Sequence, residues 1–80
     1  MKEVYILRSD ERRRPSYVSV TQDFKRRLGE HNSGRSPYTS GGEPWTPVVV
    51  IRFENDEKAD RFEEYLKSGS GRAFAKRHFL

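Results

Sequence analysis

The sequence contains no cysteine, which excludes disulfide bonds, thiolate metal sites and a cysteine nucleophile. It also contains no apolar run near the ~18 residues that a membrane helix needs, and no apolar stretch at its N-terminus. We therefore expect neither a transmembrane helix nor a signal peptide, no membrane partner, and a cytoplasmic protein. Hydrophobic residues make up only 32% of the 80 residues, against 35% charged residues, so we expect one small domain over residues 1–80 with a thin core.

The few apolar residues are clustered in short runs, VYIL, YVSV and VVVIRF, which is typical of a folded chain and not of a disordered one. The first two runs predict strands over residues 2–8 and 16–20, joined as a hairpin. A helix over residues 22–31 follows, with Thr21 as its N-cap. Residues 32–44 are rich in Gly, Ser and Pro and predict a long loop, of a length that is often functional. The third run, within residues 45–53, is apolar on both alternations and predicts a central strand.

Two helices complete the predicted order. The first spans residues 55–67, with Asn55 as its cap. Its predicted core residues are Ala59, Phe62 and Leu66. A short last helix is capped by Ser70 and carries Ala73, Phe74 and Phe79. The order β-β-α-β-α-α indicates a small α/β (α+β) domain.

Two tyrosines and two basic side chains are predicted to meet. Alternation along the hairpin places Tyr5 and Tyr17 on the side of the sheet opposite the valines. On the first helix, Arg27 and His31 fall within an arc of about 100° that also holds the apolar residues. They therefore border the buried face and can reach the same edge as the tyrosines. The remaining charged residues of this helix point to solvent: Lys25, Arg26 and Glu30.

The positive charge is concentrated in two places. The formal net charge is +4, and arginines crowd the loop between the first two strands and the start of the first helix. Clusters of arginine beside aromatic residues favour a phosphate-bearing partner such as a nucleic acid.

The residues so placed resemble the GIY-YIG nuclease family over essentially the whole chain. VYIL resembles the first half of the family's motif, with Tyr5 as its tyrosine, and YVS resembles the second half, with Tyr17. Arg27 and His31 follow the second tyrosine by ten and fourteen residues, as the family's arginine and histidine do. HNSG, PYT and EPW follow in the order of the small single-domain, excision-repair-like members. ADRFEEYLKS resembles the segment that carries the metal-binding glutamate, here Glu63.

This resemblance implies a three-stranded antiparallel sheet flanked by helices and hydrolysis of DNA phosphodiester bonds, on duplex or branched DNA. Glu63 would hold Mg²⁺ or Mn²⁺, with no small-molecule cofactor. Arg27 would hold a phosphate oxygen, and Tyr17 and His31 would orient water or phosphate. Tyr5 would help to deprotonate the attacking water, which requires a lowered pKa. The candidate DNA-binding residues are Arg8, Arg12, Arg13, Arg14, Lys25, Arg26, Asn32 and Lys67.

Two positions depart from the family's pattern. Ser19 stands where the second half-motif ends in glycine, and Glu3 stands where the first half-motif has its glycine. Because Ser19 shares the face of Tyr5 and Tyr17, we expect its side chain to crowd a phosphate at the site. The last helix also lacks the asparagine that some repair members carry.

Each candidate also has an ordinary structural interpretation. Arg27 could pair with Glu30, Asn32 could cap its helix, and Trp45 could be a core aromatic. Glu63 taken alone would be a solvated helix charge. The functional hypotheses are a metal-dependent endonuclease that is structure-selective or weakly specific, in DNA repair or processing, a catalytically weak or inactive nucleic-acid-binding module, and a ribosomal or RNA-associated basic domain.

Overall fold

The computed structural model describes residues 1–11 and 15–80; Arg12, Arg13 and Arg14, predicted to bind DNA, lie outside the described residues. The strands are β1 (Lys2–Ser9), β2 (Tyr17–Thr21) and β3 (Trp45–Phe53), and the helices are α1 (Phe24–Asn32), α2 (Asp56–Lys67) and α3 (Gly69–His78). The order β-β-α-β-α-α is the one predicted. Within the described parts of the chain, none of the helices has the length and apolarity needed to cross a membrane.

The sheet is antiparallel throughout, with the strand order β2-β1-β3. The prediction that β3 is the central strand is wrong, because β1 lies in the middle and buries its side chains on both faces. Pro47 explains the position of β3, since proline cannot donate to a ladder and is tolerated in an edge strand. The register of β3 against β1 shifts between Ile6 and Leu7, close to this proline.

Alternation along β1 divides the interior into two clusters, one on each face of the sheet. On one face, Val4 and Ile6 pack with Ala59 and Leu66 of α2 and Ala75 of α3. On the other face, Tyr5, Leu7 and Trp45 form a second buried cluster, with Tyr17 and two α1 residues, Phe24 and Leu28, packed against it. The sheet therefore separates an apolar layer from a layer that contains the two predicted site tyrosines.

The helix boundaries depend on short polar caps, of which one was predicted correctly. Asn55 caps α2 by accepting from the backbone N–H of Lys58. The predicted cap Thr21 is wrong: Asp23 caps α1, and the Thr21 hydroxyl instead accepts from the Asp23 N–H.

The predicted start of the last helix is also wrong. Ser68 and not Ser70 caps α3, so that helix begins at Gly69. The predicted core residue Ala73 is exposed, and Ala75 occupies the core position instead.

Candidate active site

The two tyrosines lie on one face of the sheet, as alternation predicted. Leu7 of β1 pairs with Tyr17 of β2, and Tyr5 pairs with Ser19. The rings of Tyr5 and Tyr17 are 6.4 Å apart between centroids. Tyr5 is 0% exposed, whereas Tyr17, at the start of an edge strand, is partly exposed. Tyr17 is thus open to a substrate, and Tyr5 is covered in the free protein.

His31 joins the tyrosines from α1 and is itself completely buried. Its Nε2 lies 2.9 Å from the Tyr5 hydroxyl oxygen, and its Nδ1 lies 2.8 Å from Oγ1 of Thr39. The ring also stands edge-on to Tyr17, at 5.0 Å between centroids. In the free protein both ring nitrogens are therefore engaged and the side chain has no exposed surface. The expectation that His31 orients water or phosphate stays a prediction.

The loop over residues 33–44 forms the wall behind His31. The Thr39 carbonyl accepts from the indole Nε1 of Trp45 at 2.9 Å, and Trp45 is buried, as a core aromatic should be. Asn32 clasps the backbone of Trp45: its amide nitrogen donates to the Trp45 carbonyl at 3.1 Å, and its oxygen accepts from the Trp45 N–H at 2.6 Å. Residues of the HN, PYT and EPW segments make these bonds, and the bonds connect the end of α1 to the start of β3 around His31.

Arg27 lies beside the tyrosines but is paired within its own helix. Its guanidinium donates to Glu30, which also accepts from Arg26 at 3.3 Å. The prediction that Glu30 points to solvent is wrong, because its side chain is partly buried and forms ion pairs with Arg26 and Arg27. Hydrogen bonding to Arg27 and then to Arg26 lowers the pKa of the Glu30 carboxyl.

Burial shifts the pKa of Tyr5 and the pKa of His31 in the direction that favours the neutral form of each side chain. Desolvation raises the pKa of the Tyr5 hydroxyl, although hydrogen bonding to Ser19 and Arg27 acts in the opposite direction. Desolvation, followed by the charge of Arg27, lowers the pKa of His31. Both shifts favour a protonated Tyr5 beside a neutral His31 in the free protein.

Glu63 lies apart from this group, on α2. Its side chain is 13% exposed, and one carboxylate oxygen forms an ion pair with Nζ of Lys67 at 2.5 Å. Lys67 lines a groove of about 830 Å³, and Tyr17 lines the same groove from β2. Tyr17 and Lys67 therefore border one opening, which lies on the face of the sheet that Ile6, Leu66 and Ala75 occupy. Among the described residues, no three histidine or carboxylate side chains are grouped to hold a metal ion.

The described members of the predicted DNA-binding set differ in their freedom to bind phosphate. Arg8, Lys25 and Arg26 are exposed, and Arg26 shares its guanidinium with Glu30. Lys67 is half exposed and paired with Glu63. A hollow of about 210 Å³ beside Arg27 is lined by Thr21, Gln22, Asp23, Arg26 and Arg27. The amide of Asn32 is occupied by Trp45, so its predicted contact with DNA would compete with that clasp.

With this geometry, comparison with known proteins is decisive. Residues 1–77 match the GIY-YIG catalytic domain. The chain belongs to the GIY-YIG family. It is also similar to the structure-specific endonuclease subunit SLX1 of Candida dubliniensis, with 39% identity over 71 residues, which covers 80% of this chain and 25% of that protein. The chain thus spans about a quarter of the curated relative that it matches. No solved structure matched it significantly.

In this GIY-YIG domain, four of the predicted site residues meet and one stands apart. Tyr5, Tyr17, Arg27 and His31 converge on the α1 face, which the order of motifs and the alternation of the strands predicted. Sequence reasoning missed Thr39, which is 0% exposed and contacts His31. The sequence indicated the PYT segment only by its position among the family's motifs. Nothing in the local pattern predicts that a threonine in a loop contacts a helix.

Proposed function

We propose that this protein is a metal-dependent DNA endonuclease that cleaves phosphodiester bonds in structured DNA, in DNA repair or processing. The observation that carries the proposal is the convergence of Tyr5, Tyr17, Arg27 and His31, from two strands and one helix, in a chain of the GIY-YIG family. The name of the similar SLX1 subunit, a structure-specific endonuclease, supports branched or otherwise structured DNA as the substrate.

The buried pair supplies a path for a proton. As Tyr5 accepts a proton from the attacking water, its own hydroxyl proton passes over 2.9 Å to Nε2 of His31. This transfer avoids a free phenolate, which burial disfavours at Tyr5. Tyr5 is covered in the free protein, and its hydroxyl interacts with Ser19 and Arg27, so contact with water requires movement of side chains such as Arg27 when DNA binds. Exchange of Arg27 from Glu30 to a phosphate oxygen would provide that movement.

Arg27 and Tyr17 are the residues that meet the substrate. A guanidinium presents planar donors that suit a phosphate, and it stabilises the charge that develops on phosphorus in the transition state. Tyr17 is partly exposed, so its hydroxyl can orient the phosphate or the water. Arg27 and Tyr17 thus bind the phosphate, and the proton is transferred between the buried side chains of Tyr5 and His31.

Glu63 fits the role of a sole protein ligand for Mg²⁺ or Mn²⁺. Its carboxylate offers hard oxygens, and only one of them is engaged, by Lys67, among the described residues. Mg²⁺ is held by one or two carboxylates and keeps several waters, so the lack of a larger acidic cluster in the described chain is compatible with it. When bound, the ion stabilises the leaving oxygen. Lys67 would then be released from Glu63 to contact the DNA backbone.

Incubation of the protein with supercoiled, single-stranded and branched DNA, in Mg²⁺, in Mn²⁺ and in chelator, tests the proposal. We expect metal-dependent cleavage, fastest on branched DNA. The complete burial of Tyr5 favours the second candidate, an inactive nucleic-acid-binding module. DNA binding without cleavage in either metal would establish that module and refute the nuclease.

A further inference from the structure

Thr39 is a buried polar residue that the proposed chemistry has not yet used. It is 0% exposed, and its hydroxyl oxygen lies 2.8 Å from Nδ1 of His31 and 3.4 Å from the carbonyl oxygen of Ser36. Its backbone is fixed as well: the Thr39 N–H donates to the Ser36 carbonyl at 3.1 Å, and its carbonyl accepts from the Trp45 indole. A hydroxyl held this firmly presents one fixed partner to the histidine.

The contacts of Thr39 determine the direction of the hydrogen bonds through His31. The Ser36 carbonyl can only accept, so the Thr39 hydroxyl donates to it and its oxygen accepts from Nδ1–H. A neutral imidazole carries one N–H, so Nε2 is then left as an acceptor for the Tyr5 hydroxyl. All three bonds run in one direction, from Tyr5 through His31 and Thr39 to the Ser36 carbonyl.

We propose that Thr39 is a positioning residue that holds the proton of His31 on Nδ1 and thereby keeps Nε2 free to take the proton of Tyr5. With the proton on Nε2, the ring would donate to Tyr5 and could not accept its proton. This inference rests on the proposed function for its effect on cleavage. The tautomer of His31, however, can be measured whether or not the protein cleaves DNA.

The first experiment reads the tautomer by two-bond ¹H–¹⁵N correlation NMR of ¹⁵N-histidine protein. The exposed His78 is replaced, as His78→Gln, so that His31 alone gives signals. We expect the neutral ring to carry its proton on Nδ1 in the wild-type background and in Thr39→Ser, which retains the hydroxyl. In Thr39→Val, which has nearly the same shape but no acceptor, a measurable fraction should move to Nε2. A proton on Nε2 in the wild-type background overturns the proposal even if the valine variant does not fold. An unchanged tautomer in folded Thr39→Val also overturns it.

The second experiment measures single-turnover cleavage and DNA binding in chelator. Thr39→Val should slow cleavage by about 10- to 100-fold, part of the range for acid–base catalysis, at unchanged binding. Thr39→Ser and the remote control Thr46→Val should stay within about threefold of wild type, since neither loses the contact to His31. Wild-type cleavage by Thr39→Val overturns the catalytic part. Absence of cleavage by the wild type itself would refute the nuclease, and the tautomer would still decide the role of Thr39.

Discussion

Replacing Tyr5 with phenylalanine tests the hydrogen bond on which the proposed chemistry depends. The ring would remain packed against Phe24, 5.2 Å away, and against Tyr17, 6.4 Å away, so little apolar contact would be lost. Nε2 of His31, which is fully buried, would lose its partner at 2.9 Å. An unsatisfied buried polar group costs about 1–3 kcal/mol, which corresponds to a fall of roughly 5–20 °C in Tm for a domain of this size.

Urea denaturation at neutral pH measures this cost, and single-turnover cleavage of branched DNA measures the catalytic effect. Tyr38→Phe is the matched control, because Tyr38 is 83% exposed and its hydroxyl can be lost within about 0.5 kcal/mol. We expect Tyr5→Phe to lose about 10²- to 10⁴-fold in cleavage rate at unchanged DNA binding in chelator. Stability equal to wild type would mean that the bond to His31 is not formed. Cleavage at the wild-type rate would refute Tyr5 as the proton acceptor.

Four further substitutions test the other parts of the site. Glu63→Gln should abolish Mg²⁺-dependent cleavage with DNA binding in chelator nearly unchanged, and equal activity in nicking assays would contradict the metal assignment. Arg27→Ala should lower both turnover and affinity, turnover more, because the clamp acts on transition-state charge; a change in affinity alone would argue against it. Ser19→Gly should increase cleavage at little change in binding, whereas a slower variant would mean that the hydroxyl assists. Burial lowers the pKa of His31 in the folded protein below its ordinary value of 6.5, so the stability that its neutral ring contributes is complete above about pH 6.5 and is lost as the pH falls below it. In urea titrations, His31→Gln should therefore lose this part of the pH dependence. Curves of stability against pH that run parallel for the two proteins would show that His31 does not cause it.

The part of the site that follows from periodicity could be predicted from the sequence. Alternation along the hairpin requires Tyr5 and Tyr17 to share a face whatever the register, because the valines must be buried on the other. In the same way, the helical period brings Arg27 and His31 of α1 to the seam with the sheet. The GIY-YIG family resemblance, which the match over residues 1–77 confirms, assigned the same four residues to one site.

Contacts made by irregular backbone and by long side chains could not be predicted in this way. The loop over residues 33–44 has no period, so nothing in it indicates that Thr39 returns to His31 or that Trp45 is clasped by Asn32. The sequence predicted β3 to be central because its run is apolar on both alternations, and that pattern does not distinguish a central strand from this edge strand. Pro47 is the residue in the run that is typical of an edge. The sequence left Arg27 with two alternative partners, a phosphate and Glu30. The structure shows that Arg27 is paired with Glu30 in the free protein.

The burial of Tyr5 and His31 divides the proposed chemistry into two layers. Neither side chain has exposed surface in the free protein, and in the proposed mechanism they receive the proton of the attacking water at Tyr5 and pass a proton on to His31. In the proposed mechanism, recognition of phosphate would therefore fall to Arg27 and Tyr17, which are partly exposed, and to Lys67. Ser19 lies at the boundary, opposite Tyr5 in the sheet and close enough to its hydroxyl to influence the pKa. Arg27, which is paired with Glu30, also influences this hydroxyl, so the proposed exchange of Arg27 from Glu30 to a phosphate would couple the proton transfer at Tyr5 to the binding of substrate.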